Sequence, residues 1–126
     1  MKTLIASALA LAAAPLAAAA PVSLPGVSDE ETTIAGGVTD YHFGHGDVLF
    51  VRDRIDRWYR VQLNEGCLKT RLPRETAVFA GDAIDNRVDT FTQVIFVRDQ
   101  RMCGIDSIRR SAAPPQVDRN SLVTLD

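Results

Sequence analysis

The chain has 126 residues, 46% of them hydrophobic, and carries 14 basic against 16 acidic side chains for a net charge of −2. That length suits one small domain, and no internal repeat is visible. The slightly acidic balance excludes a bulk attraction to nucleic acid or to an anionic membrane.

"MKTLIASALALAAAPLAAAA" opens the chain with one positive charge at Lys2, an apolar run from Leu4 to Ala14, Pro15, and then small residues. This is the layout of an export signal, with cleavage expected after Ala18 or Ala19. The apolar run is about half of the ~20 residues a spanning helix needs, so an uncleaved anchor is only the rival reading. No cysteine lies near the junction, and a lipid anchor is not expected. Residues 1–19 therefore read as a signal peptide, and the mature chain as a periplasmic protein with no transmembrane segment.

Residues 20–37 contain Pro21 and Pro25, glycines and the acidic cluster Asp29, Glu30 and Glu31, without a sustained apolar period. They read as a flexible or loosely packed leader. From Val38 the pattern changes, because "VTDYHF" and "DVLFVRD" are rich in β-branched and aromatic residues and flank "GHGD". The expectation is a hairpin. "RWYRVQL" alternates, with Tyr59, Val61 and Leu63 on one face and Trp58, Arg60 and Gln62 on the other. "NEGC" supplies a turn. Pro73 bars a central strand in "LKTRLPRE", "TAVFA" reads as a short strand, and "GDAIDN" as a further turn. "RVDTFTQVIFV" reads as one strand with a central apolar half, "RDQR" as its turn, and "MCGIDSIRR" as the return strand. There Cys103, Ile105 and Ser107 share a face, and Ile108 joins them only if Gly104 marks a bulge. Residues 112–126 read as a mobile tail in which "SLVTL" could pair at an edge.

Five or six short strands follow, in an all-β antiparallel meander or barrel-like sheet spanning residues 38–111. An α+β fold with a helix between residues 70 and 87 is the rival.

Cys67 and Cys103 are the only cysteines, and in an exported protein they read most simply as one disulfide. It closes a loop of about 37 residues, worth about 3.5–4 kcal/mol in the chain-entropy model. Two free thiols, or a redox pair, are the alternatives, although redox pairs are usually close in sequence.

Motifs that carry chemistry are sparse. His42, His45 and Asp47 crowd the hairpin tip, but a zinc site needs three or four converging ligands, and no metal is assigned. "RDRIDRWYR" gathers Arg52, Arg54, Arg57 and Arg60 with Trp58 and Tyr59. It could grip a small anion. Asp53 and Asp56 offer internal partners, however, so a solvated face is the plainer reading. No nucleophile elbow, metalloprotease helix or phosphate loop is present, and no catalytic residue or cofactor is assigned.

The order "WYRVQL", Cys67, "VDTFTQVIFV" and "CGIDSI" resembles a family of small exported proteins of Gram-negative proteobacteria, grouped as a domain of unknown function. The likeness spans Val38 to Ser111 and rests on Trp58, Tyr59, Cys67, Cys103, Ile105 and Ile108. Gly104 stands where that family would place a larger, often basic residue. The resemblance implies an envelope location and the cysteine pairing, and no activity. The expectation is a non-enzymatic periplasmic binding or structural module, with Trp58, Tyr59 and Arg60 as a candidate interface for an unknown envelope component. The alternative is a small periplasmic enzyme or ligand carrier, which requires a concave pocket.

Overall fold

A computed structural model of the chain describes residues 24–69, 75–81, 86–115 and 121–125. The expected signal peptide lies outside them, as do residues 70–74 and 82–85 of the stretch where a helix was the rival. Among the described residues there is no helix. Seven strands form the body: β1 (Val27–Glu31), β2 (Val38–Gly44), β3 (Val48–Asp53), β4 (Trp58–Leu63), β5 (Ala77–Ala80), β6 (Gln93–Phe96) and β7 (Arg101–Ser111). Every pairing between them is antiparallel, in the order β2-β3-β4-β7-β6-β5 with β1 also on β7.

β7 is the strand on which the sheet converges. Its first four residues pair with β6, its residues from Ile105 to Ser111 pair with β4, and β1 joins at Arg109 and Ser111. The sheet curls until its end strands meet. There the Tyr41 hydroxyl of β2 accepts from the Ala77 amide (3.0 Å) and donates to the Glu75 carbonyl (3.3 Å) at the start of β5. One side chain thus stands in for the missing ladder of a closed barrel.

Alternation decides what the curl encloses. Tyr59, Val61 and Leu63 of β4 point inward, as their spacing demands, and meet Leu49, Val51, Val94, Phe96, Ile105 and Ile108 in the main core. β7 keeps Cys103, Ile105 and Ile108 all inward because the ladder slips: Gln62 opposes Ser107 while Leu63 opposes Ile105. Asp106 is the extra residue, so the bulge lies beyond Gly104 rather than at it. Gly104 has a different reason to be small, since a Cβ there would come within 2.6 Å of the Asn64 side-chain nitrogen.

Three sequence readings change at the ends and in β6. Val27–Glu31, read as leader, is strand β1, and Ile34 bridges Val88 and is fully buried. Its apolar side chain joins the main core, which a domain starting at Val38 would lack. The expected continuous strand over 87–97 is broken by a turn. The Asp89 carboxylate accepts from the Phe91 amide (2.9 Å), Thr92 donates back to the Asp89 carbonyl (3.1 Å), and Phe91 is left 92% exposed. The tail returns to the sheet at Val123, whose amide donates to the Phe43 carbonyl (2.9 Å) across a parallel bridge with Gly44.

Cys67 and Cys103 are disulfide-bonded, with their Cα atoms 6.1 Å apart. The bond extends the β4–β7 ladder past its last rung, the Asn64 amide on the Gly104 carbonyl. It therefore clamps the place where β7 changes partner from β4 to β6.

Candidate functional site

The "GHGD" stretch is the tip of the β2–β3 hairpin. Gly44 opposes Val48, and Gly46 (φ 73°) and Asp47 (φ 60°) take the left-handed turn that glycine and aspartate tolerate. His42 and His45 part company there, with His42 buried on the outer sheet face and His45 exposed. Asp47 serves the neighbouring turn, its two carboxylate oxygens accepting from the amides of Gly66 (2.9 Å) and Leu68 (2.8 Å) on either side of Cys67. Among the described residues no three His, Cys, Asp or Glu side chains are placed to share a metal. A shallow hollow beside Asp47, Glu65 and Lys69 is bounded by these two turns.

"RDRIDRWYR" divides between interior and surface. Asp53 is only 1% exposed and organises the β3–β4 turn. It accepts from the amides of Ile55 and Arg57 (both 3.0 Å), the Arg57 guanidinium (2.8 Å) and the Tyr59 hydroxyl (3.1 Å). Burial pushes its acidity down, but these bonds, led by the Arg57 amide and guanidinium, outweigh it and hold its pKa below the usual value. The same carboxylate raises the Tyr59 pKa, after burial itself. Tyr59 is thus interior and not available to a partner.

Trp58 faces outward yet is only 7% exposed. It packs with Val48, Phe50 and Val123 in a second cluster bordered by Leu125, its ring 5.7 Å from that of His42 and 5.8 Å beneath the Arg52 guanidinium. The residues expected to form one interface are therefore separated: Tyr59 inside, Trp58 under cover, Arg60 beside an opening.

That opening is a groove of about 280 Å³ on the outer face of β3 and β4. Val48 and Phe50 form part of its wall, Pro25 and Val27 another part, and Val123 and Leu125 a third. Arg60 is the cation that lines it. The Arg60 guanidinium donates to the Gln62 side-chain carbonyl (3.1 Å), and burial followed by the nearby charge of Arg109 keeps its pKa below the ordinary value. Arg109 is its direct cross-strand neighbour. Among the described residues neither arginine has a carboxylate in ion-pair range, although Glu31 stands opposite Arg109 on β1. The Arg109 Nε is buried without a hydrogen-bond partner.

The groove is not legible in the sequence, because two of its three walls come from segments read as leader and tail. A weak signal existed in the β-branched and leucine residues of "SLVTL". A second apolar surface crosses the other half of the sheet, where Val78, Ile95 and Met102 are successive cross-strand neighbours. Met102 is 62% exposed.

Fold and groove together define a small disulfide-stapled β domain, nearly closed as a barrel, with an apolar cleft carrying a cation on its outer face. Comparisons with protein-family models, with curated proteins and with solved structures return no match for the chain.

Proposed function

We propose that this protein is an exported, non-enzymatic binding module of the bacterial envelope, and that it works as a ligand carrier through the groove between β3, β4 and the Val123–Leu125 segment. The observation that carries the reading is Arg60, a partly desolvated guanidinium set in an apolar cleft, with no carboxylate of the described residues in ion-pair range. A half-buried charge without a counter-charge is costly, and a ligand that supplies one relieves the cost. The single disulfide fits an oxidising compartment, in keeping with the export signal and with the exported family that the sequence resembles.

Trp58 is the only tryptophan and packs against the Phe50 and Val123 walls, so its emission reports occupancy. Titration of the oxidised protein with a small-molecule extract of bacterial envelopes is expected to change that emission saturably and raise Tm. An extract that alters neither speaks against a carrier role.

A further inference from the structure

The groove's dimensions and chemistry go further than a generic site. Resting on the carrier reading above, we infer that its ligand is a single-chain anionic amphiphile: one alkyl chain of medium length ending in a carboxylate-like headgroup.

Volume limits the tail. About 280 Å³ lies just below the ~300–1,000 Å³ usual for ligand pockets, room for one chain and not for a two-chain lipid. Wall chemistry sets the tail's character, since Val27, Val48, Phe50, Val123 and Leu125 offer hydrocarbon and no described acidic side chain lines the groove. The head is set by Arg60. Its guanidinium uses one nitrogen on Gln62 and keeps further donors for the cleft, and a carboxylate can take two of them in parallel. Arg109, one strand over, adds positive potential, and among the described residues it has no carboxylate in ion-pair range, Glu31 on its far side included. A cationic headgroup would meet two guanidinium charges, and a neutral one would leave Arg60 unpaired.

Decanoate, decanol and decyltrimethylammonium share a chain and differ in charge, so they isolate the headgroup. Calorimetry on the folded, oxidised chain is expected to show one decanoate per molecule, with the other two at least tenfold weaker. Arg60→Gln should weaken decanoate at least tenfold and leave decanol unchanged. Thr124→Trp, which fills the groove from an exposed position, should abolish decanoate binding. Equal binding of decanoate and decanol to the wild-type chain overturns the anionic assignment while leaving the groove as a carrier site. No binding of any of the three defeats both. Full decanoate binding by Thr124→Trp places the ligand elsewhere and overturns the assignment, as does binding only to phosphatidylglycerol vesicles. Should Arg60→Gln fail to fold, the three-probe comparison on the wild-type chain still decides.

Discussion

Asp53 shows how much one side chain can decide. It is buried, accepts four hydrogen bonds, and joins the turn to the core through Tyr59. Asp53→Ala removes these bonds together and strands two amides and a phenol, so a loss of about 3 kcal/mol is expected in urea denaturation. The pH dependence follows from the direction of its shift. Because the folded pKa lies below the unfolded one, its contribution is present above the unfolded value and fades as pH falls through the folded value. The stability gap between wild type and Asp53→Asn should accordingly be widest near neutrality and close in acid. The surface pairs of Arg52 with Asp40 (3.9 Å) and Asp56 (3.8 Å) sit on exposed or half-exposed groups, and charge-removing substitutions there should change stability by less than about 1 kcal/mol.

Between elements, two contacts test how the sheet is joined. Tyr41→Phe deletes the hydroxyl that links β2 to β5 and leaves the Ala77 amide unmatched at the seam. The expected cost is about 1–2 kcal/mol, with faster hydrogen exchange at Ala77 and little change elsewhere. Gly104→Ala should be mild, under about 1 kcal/mol. The new methyl would meet the end of an exposed Asn64 side chain that can swing away, and Gly104 is not in the left-handed region. The strands of residues 38–63 were legible because alternation runs through them and glycines mark the β2–β3 turn. β1 was not, since its Val27-Ser28-Asp29-Glu30-Glu31 sequence is polar and exposed and is held by its ladder to β7, not by buried side chains. The slip at Asp106 was half legible: Ile108 needed a bulge to turn inward, and glycine was the wrong clue to its position. Arg60 stood out in sequence as part of an arginine cluster, but its setting depends on Pro25, Val27, Val123 and Leu125, which only the folded chain brings to it.

Taken whole, the domain is small and leans on its covalent clamp. Breaking the Cys67–Cys103 bond, by reductant or by Cys67→Ala with Cys103→Ala, should cost about 3.5–4 kcal/mol by loop entropy. For a domain of this size that lowers Tm by roughly 15–30 °C, measurable by calorimetry with and without reductant. The pairing was legible from the cysteine count together with the expectation of export. Its placement at the point where β7 changes neighbours is set by the register of β7 against β4 and β6, which no local pattern encodes.

β7 also governs when this chain can become compact. The β2–β3 and β3–β4 hairpins close locally, but β1, β4 and β6 all find their partner in the 11 residues from Arg101 to Ser111. A growing polypeptide that has made everything up to residue 100 owns the β2–β3–β4 meander and the β5–β6 pair, with nothing to join them into a barrel. Contacts so distant along the chain make assembly slow and late, and until that final strand arrives Cys67 has no thiol to meet.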